Sequence, residues 1–284
     1  MGEKHKDNEA VGGGAGCSAA GGAAGTGAAP ALEARGLTLA WDGVHDVVRG
    51  VDLHVMAGET VCIVGKSGCG KTTILHALSG LTAPREGIVL LHGEDLGARP
   101  GRVSYMLQKD LLLPSRTILD NAILPLVVAG QKKAVARERA LPLFERFGLS
   151  GCENKWPGEL SGGMRQRAAF LRTYLMGNDV ALLDEPFSAL DALTRADIRA
   201  WYCRMAAELG IASVVITHDV DEAVGMASRV YVLEGDPRGG VPSTIAGEIR
   251  VERPAAVEDG AGAARFDLTD EFLRAKREVM ALLG

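Results

Sequence analysis

An eight-residue glycine-rich segment at positions 65–72 constrains the fold of this chain more than any other feature. Its sequence, GKSGCGKT, matches the phosphate-loop (P-loop) pattern GxxxxGK[ST] at every defined position. The β-branched run 60–64 precedes it and helical periodicity follows from Lys71, so the segment connects a buried strand to a helix. Backbone N–H groups in such a loop, together with the helix N-terminus, bind polyphosphate oxygens. The predicted nucleotide-binding residues of this segment are Gly65, Lys66, Ser67, Gly68, Cys69, Gly70, Lys71, Thr72 and Thr73.

Three side chains of this loop have expected roles of their own. Lys71 would reach the β- and γ-phosphates of ATP, and the Thr72 hydroxyl would bind Mg²⁺. Cys69 lies among phosphate-binding amides beside Lys71, an environment that is expected to lower the pKa of its thiol. Alkylation of that thiol would then prevent ATP binding, and bound ATP would protect it.

A second segment carries two consecutive carboxylates. The apolar run 180–183 is followed directly by Asp184 and Glu185. Because the carboxyl ends of parallel strands meet at one edge of a sheet, both side chains are expected beside the P-loop. We predict that Asp184 holds the metal and that Glu185 polarises the attacking water as a general base. An ordinary solvated strand exit is the alternative interpretation of this acidic pair.

Strand-like and helix-like segments alternate along most of the chain, which predicts an α/β fold with a mostly parallel sheet covered on both faces. Residues 118–175 have helical character. Ile198, Trp201, Met205 and Leu209 recur at the spacing of an amphipathic helix. Segment 1–30 is rich in Gly and Ala and is predicted to be a disordered tail. The predicted strands are 32–40, 47–55, 60–64, 87–92, 103–107, 180–183, 212–217 and 229–233, and the predicted helices include 71–81 and a terminal helix at 268–283.

Residues 160–167, with the sequence LSGGMRQR, resemble the signature of the ATP-binding cassette (ABC) ATPases. In that family the signature opens a helix whose N-terminus faces the γ-phosphate held by the opposite subunit, so Ser161, Gly162 and Gly163 would contact nucleotide from across a dimer. A serine cap and a helix dipole suit an anion at this position. The fifth signature residue is commonly Gln in the family and is Met164 here, a change that leaves the backbone donors intact.

Other positions are similar to the same family and occur in the family's order. Gln108 resembles the glutamine that contacts Mg²⁺ and the transmembrane partner. Segment 188–191 (SALD) resembles the D-loop that crosses the dimer interface. His218 resembles the switch histidine that contacts the γ-phosphate, and Trp41 lies where the family places an aromatic that stacks on adenine.

The resemblance implies an architecture and a division of labour. A P-loop NTPase core would carry an N-terminal antiparallel β subdomain and an inserted helical subdomain at about 109–178, within an ABC ATPase domain at 31–237. Residues 238–284 would form a short C-terminal extension. Two copies, or one copy and a related subunit, would sandwich two ATP molecules. The resemblance assigns Glu185, His218, Lys71 and Gln108 to catalysis, and Thr72, Gln108 and Asp184 to Mg²⁺.

Chain architecture separates two classes of ABC function. The stretch 109–160 has room for a small helical subdomain but not for the long coiled coil of chromosome-structuring relatives, and the sequence holds one P-loop and no cysteine-rich zinc insertion. A formal net charge of −5 also weakens a nucleic-acid role. We therefore expect an ATP-hydrolysing transporter subunit at the cytoplasmic face of the membrane, docked on permease subunits and not on nucleic acid. A soluble ABC ATPase acting on nucleic acid or protein-assembly machinery is the alternative.

Within transporters, segment 111–121 (LLLPSRTILDN) is similar to the nitrate, sulfonate and taurine importer ATPases, a group that includes uptake systems for thiamine-pyrimidine precursors. Segments 189–195 and 218–223 agree with this subgroup. The alternative is that these similarities mark importers in general. Either way the resemblance implies an extracytoplasmic solute-binding protein as an indirect partner, and solute choice belongs to that protein and the permease.

Overall fold

The computed structural model of the chain describes residues 29–253 and 263–284. Within these residues ten strands form a single mixed sheet. The strands are β1 (Leu32–Ala40), β2 (Asp46–Val55), β3 (Thr60–Gly65), β4 (Glu86–Leu91), β5 (Glu94–Asp95), β6 (Ser104–Met106), β7 (Val180–Asp184), β8 (Ala212–Thr217), β9 (Arg229–Asp236) and β10 (Val241–Arg250).

Helices cover the sheet, and four of the helices, α2 to α5, lie in the chain between β6 and β7; residues 109–178 are called the helical segment below. Helices α2 to α5 lie within residues 118–175, for which helical character was predicted. The helices are α1 (Lys71–Leu78), α2 (Ile118–Ala122), α3 (Leu124–Val128), α4 (Lys133–Arg146), α5 (Gly162–Tyr174), α6 (Ala192–Leu209), α7 (Val220–Met226) and α8 (Asp270–Leu283).

The parallel part of the sheet places the predicted site at one edge. Strand β3 lies between β8 and β9 and is parallel to both, while β7 lies between β8 and β6, again in parallel. Strands β7 and β8 are buried at every position, as expected of strands covered on both faces. Since parallel strands end at the same edge, the residues that follow β3, β6, β7 and β8 are brought together. The predicted α/β fold is confirmed.

The N-terminal strands form the predicted antiparallel part. Strand β1 pairs antiparallel with both β2 and β4, and β4 pairs antiparallel with β5. Strand β10 then joins this part to the parallel core, because it pairs antiparallel with β9 and contacts β2 through Ser243 and Val48. The predicted boundary at residue 237 thus falls between two paired strands of one sheet, and the division of the chain into domains remains a prediction.

The predicted apolar stripe lies on α6. Ile198, Trp201 and Met205 are buried, and Leu209 packs partly buried against the same core. The helix begins earlier than the stripe, at Ala192, because the Asp191 side chain accepts a hydrogen bond from the Thr194 N–H and caps it. In this core α5 packs on α6 through aromatic contacts, including Phe170 stacked on Tyr202 at a centroid distance of 4.7 Å.

Element ends differ from the predictions where local backbone geometry decides them. Helix α1 ends at Leu78 and not at residue 81, since Gly80 adopts a left-handed φ of +72° that closes a helix. The predicted disordered tail at 1–30 lies, up to residue 28, outside the described residues. No helix in the described ranges combines the length and apolar character that crossing a bilayer requires.

Gly65, at the start of the P-loop, allows a test of how closely β3 packs against β9. A Cβ atom on Gly65 would lie 2.6 Å from the Leu233 carbonyl oxygen and 2.8 Å from the Cys69 sulfur, closer than real Cβ contacts. We expect Gly65→Ala to lower stability by about 1–3 kcal/mol, the usual cost of overpacking, measured as a fall in Tm. Gly158→Ala is the matched control, because open space surrounds that position. Equal Tm values for the two variants would contradict the close packing.

Candidate active site

The P-loop is shaped by a left-handed residue at its end. Gly70 precedes α1 with a φ of +99°, and a Cβ there would lie 2.8 Å from the Val48 side chain. Only glycine meets both requirements without strain. The backbone thus turns sharply into α1, so the N–H groups at the start of that helix face the loop interior, as phosphate binding requires.

The ammonium group of Lys71 is fixed inside the loop. Its Nζ donates hydrogen bonds to the carbonyl oxygens of Gly65 at 2.8 Å and Lys66 at 3.0 Å, and the residue is buried. These carbonyls hold the cation beside the amides that are expected to bind phosphate. This arrangement is compatible with the expectation that Lys71 reaches the β- and γ-phosphates.

The prediction about the thiol of Cys69 is wrong. The residue is only 2% exposed, and burial raises the pKa of its thiol. The Lys71 ammonium, 3.9 Å from the sulfur, opposes that shift without reversing it. Removing a thiolate from water costs more than this single cation returns, so the expected lowering of the thiol pKa is not found. Sequence position alone could not reveal that Cys69 points into the core beside Gly65.

Asp184 is the buried member of the acidic pair. The hydroxyl of Tyr105 donates to its Oδ2 at 3.4 Å. Burial raises the pKa of the Asp184 carboxyl, and the nearby Thr72 hydroxyl opposes that shift. The two predicted metal-binding residues of the loop and of β7 therefore lie near one another.

Two other predicted site residues, Gln108 and His218, contact the carboxylate of Glu185. Gln108 Nε2 donates to Glu185 Oε2 at 3.2 Å, and His218 Nδ1 lies 3.1 Å from the same oxygen. Glu185 itself has a φ of +43°, an uncommon left-handed conformation for a residue other than glycine. Such strain at a carboxylate shared by two loops is typical of a functional position. Glu185, Gln108 and His218 come from the ends of three neighbouring strands, β7, β6 and β8.

Trp41 reaches the P-loop helix from the antiparallel strands. Its indole Nε1 donates to the Thr73 hydroxyl at 3.2 Å, while 61% of the residue remains exposed. An exposed aromatic ring at the mouth of a phosphate site is suited to stacking on a base. A tryptophan is often a core residue, and the exposure of Trp41 instead favours the binding role.

The signature residues lie at the start of α5, where Ser161 is exposed and Gly163 is buried. Ser161 caps α5 by accepting a hydrogen bond from the Met164 N–H at 3.3 Å, as predicted. A Cβ on Gly163 would lie 3.0 Å from Thr194, and one on Gly162 would lie 3.3 Å from Leu190, so both glycines pack closely around the start of α6. Among the described residues, no hydrogen bond or close contact joins Ser161, Gly162 or Gly163 to the P-loop of the same chain.

Two contacts at the site were missed by sequence reasoning. Tyr105 has the hydroxyl that reaches Asp184, and burial raises the pKa of that phenol, so it stays a donor. Thr217 donates a hydrogen bond to the carboxylate of Glu222, which is buried in α7 just after His218. The end of a strand at Thr217 was predictable, but neither contact was. A sequence does not show which side chain of a buried strand turns toward a carboxylate.

The burial of Cys69 yields a direct test. We expect iodoacetamide to label Cys69 slowly in the folded protein, with and without MgATP, because the thiol is inaccessible and its pKa is raised. Peptide mass spectrometry of the labelled chain measures this site separately from the other cysteines. The same protein unfolded in urea is the control and should label rapidly. Fast labelling of the folded protein that ATP suppresses would contradict the buried placement.

Comparisons with known proteins agree with this geometry. The sequence model described as "ABC transporter" matches residues 48–188. The chain is 38% identical over 204 residues to the formylaminopyrimidine import ATP-binding protein ThiZ of Halalkalibacterium halodurans, covering 72% of this chain and 80% of that protein. It is 39% identical over 224 residues to the aliphatic sulfonates import ATP-binding protein SsuB 1 of Shouchella clausii, covering 77% and 84%.

A solved structure extends the likeness to the fold. It is the dimeric, post-hydrolysis state of the ATP-binding cassette MJ0796 bound to ADP and Pi, which superimposes with a TM-score of 0.64 at 26% identity and covers 78% of this chain and 100% of that one. The resemblance drawn from the signature, the P-loop and the acidic pair is thereby confirmed. The chain belongs to the ABC transporter family, as an ATP-binding protein that hydrolyses ATP.

Proposed function

We propose that this chain is the ATP-hydrolysing subunit of an importer for a small solute, bound to permease subunits at the cytoplasmic face of the membrane. The observation that carries the catalytic part is the meeting of Gln108, Glu185 and His218 at the edge of the sheet that also holds the P-loop. The importer part is supported by the relatives, which are named as import ATP-binding proteins for formylaminopyrimidine and aliphatic sulfonates.

The geometry supports Glu185 as the base. Its carboxylate is 19% exposed, so it can meet a water molecule, and Gln108 and His218 hold it in one orientation. Glu185 would accept a proton from the attacking water, while Lys71 would neutralise charge on the transferred phosphoryl group. His218 would then carry its own hydrogen bond toward the terminal phosphate.

The residues present suit Mg²⁺ at the P-loop. Thr72 offers a hydroxyl, Asp184 a buried carboxylate and Gln108 an amide oxygen, all of them hard oxygen ligands. In the described parts of the chain no three His, Cys, Asp or Glu side chains are grouped to hold a metal alone. That agrees with Mg²⁺, which keeps several waters and takes phosphate oxygens as ligands. Bound Mg²⁺ would neutralise charge on the nucleotide phosphates.

We infer that a complete site needs two chains. Ser161 and the two glycines after it sit on α5 without a described contact to their own P-loop, which supports a role toward nucleotide held by a second copy. The ADP-bound relative is described as dimeric. Each half of the head-to-tail dimer would consist of residues 31–237, with the helical subdomain at about 109–178, completed by β10 and α8. ATP would close the dimer and hydrolysis would reopen it.

The relatives and segment 111–121 support a proposal for the class of solute. We propose an organic or inorganic solute of the nitrate, sulfonate, taurine or pyrimidine-precursor type, delivered to the permease by an extracytoplasmic binding protein. Reconstitution with the permease encoded nearest to this chain, followed by uptake of labelled candidate solutes, tests this assignment. ATP hydrolysis that no candidate solute and no permease stimulates would count against it.

Replacing Glu185 by Gln tests the base. The amide keeps the shape of the side chain but cannot accept a proton, so we expect turnover to fall at least about 100-fold while ATP binding stays near that of the unmodified protein. ATP should also trap a dimer, detected by size-exclusion chromatography. Glu208→Gln, an exposed change on α6, is the charge-matched control. Unchanged turnover in Glu185→Gln would refute the role.

Replacing Trp41 by Ala tests adenine stacking. Base stacking on an aromatic ring is worth about 1–3 kcal/mol, so we expect about 10-fold weaker ATP binding, measured by titration calorimetry. Trp156→Ala is the control, because Trp156 is similarly exposed but lies in the helical segment. Binding of inorganic triphosphate should be equal in both variants. Equal ATP affinity in both would exclude stacking on Trp41.

A further inference from the structure

Arg195, on the first turn of α6, connects two loops that carry parts of the site. Its Nη2 donates a hydrogen bond to the carbonyl oxygen of Leu190 at 2.9 Å, within the segment 188–191. Its Nη1 lies 3.6 Å from Asp219 Oδ2, directly after His218 in the sequence. One guanidinium therefore spans from the loop that follows Glu185 to the loop that carries His218.

At segment 188–191, this connection is held by hydrogen bonds to the backbone of Glu185. The Ser188 hydroxyl donates to the Glu185 carbonyl oxygen at 3.0 Å, and the Ser188 N–H donates to the same oxygen at 3.2 Å. The Leu190 N–H in turn donates to the Phe187 carbonyl at 3.1 Å. A displacement of segment 188–191 thus acts on the Glu185 backbone at one end and on Arg195 at the other.

The other end fixes the backbone on both sides of His218. The Asp219 N–H donates to the Thr217 hydroxyl at 3.1 Å, and Asp219 Oδ1 accepts a hydrogen bond from the Glu222 N–H at 3.0 Å. Asp219 is therefore both the cap of α7 and the partner of Arg195. Any force on its carboxylate reaches the single residue between Thr217 and Asp219, which is His218.

The physical character of these contacts favours transmission over simple packing. A guanidinium is planar and rigid, so its two contacts move together. Arg195 Nε is buried and has no hydrogen-bond partner among the described residues, a cost that surface arginines avoid. The separation of 3.6 Å from Asp219 exceeds a hydrogen-bond length, so the ion pair can shorten when either loop shifts.

We propose that Arg195 is a positioning residue that couples segment 188–191 to His218. The inference rests on the proposed two-chain site, in which a second copy contacts segment 188–191. Contact by the partner at that segment would draw Arg195 against Asp219 and set the His218 ring against the Glu185 carboxylate, where the two already lie 3.1 Å apart. Hydrolysis is thereby tied to closure, while ATP binding at the P-loop is not affected.

Arg199 provides the matched control. It lies one turn further along the same helix and donates to the Asp221 carbonyl oxygen at 3.4 Å, so it also joins α6 to α7. No described hydrogen bond or ion pair of Arg199 reaches segment 188–191 or Asp219. Loss of general contact between α6 and α7 should therefore affect Arg199→Met and Arg195→Met alike, whereas loss of the coupling should affect Arg195→Met alone.

The test compares steady-state ATP hydrolysis of Arg195→Met, Asp219→Asn, the double variant and Arg199→Met in the full chain. Asn keeps the cap on α7 and removes the charge that faces Arg195. We expect kcat to fall about 10-fold in Arg195→Met and severalfold in Asp219→Asn, with KM and ATP affinity unchanged, and no loss in Arg199→Met. The double variant should match Arg195→Met, since both changes break the same connection.

Several results would overturn the proposal. They are an unchanged kcat in Asp219→Asn, additive losses in the double variant, an equal loss in Arg199→Met, or a loss that appears in KM alone. If Arg195→Met does not fold, the comparison of Asp219→Asn with Arg199→Met still tests the coupling, because only the first of these changes removes the charge that faces Arg195. ATP-dependent dimerisation of Glu185→Gln is measured in parallel: its absence would refute the two-chain site itself, whereas a normal dimer together with an unchanged kcat in Asp219→Asn would refute only the coupling.

Discussion

The parallel register of β3, β8 and β7 is the constraint on which the site depends. Val64 of β3 pairs with Thr217 of β8, and Asp184 of β7 pairs with Ile216 of the same strand. The P-loop, the residue after Thr217 and the acidic pair therefore start from one line across the sheet. A shift of one residue in any of these pairings would turn the neighbouring side chains to the opposite face.

The same arrangement explains how one carboxylate of the acidic pair stays accessible beside a buried one. Asp184 belongs to the last pair of β7, so it is enclosed by Tyr105 and Thr72, and its pKa is raised by burial. Glu185 leaves the strand with a left-handed φ, which turns its side chain toward Gln108 and His218. The strained conformation of Glu185 thus places the two neighbouring carboxylates in different surroundings. The buried carboxylate of Asp184 suits a cation, and the accessible carboxylate of Glu185 suits a water molecule.

Much of the fold and of the candidate site could be predicted, because the informative residues determine the local path of the backbone. A glycine pattern, a strand ending in two carboxylates and a serine before two glycines each determine local geometry, so their positions along the chain were enough. The rest depends on contacts between distant segments. The burial of Cys69 depends on contacts with the core, and β10 pairs with both β9 and β2. The contact of Tyr105 with Asp184 depends on the pairing of β6 with β7, and the contacts of Arg195 depend on how α6 packs beside the loop after β8. No local pattern encodes these contacts.

The segment after residue 237 has more influence on the P-loop than its position in the chain indicates. Gly65 lies so close to Leu233 of β9 that no side chain fits between them. Strand β9 is held on its other side by β10, which pairs with it from Val241 to Arg250 and closes the gap toward β2. Without β10, one edge of β9 would be unpaired, and an unpaired edge strand is free to bend and to seek other partners. The C-terminal strand therefore supports the loop that binds phosphate, although none of its residues belongs to a nucleotide motif.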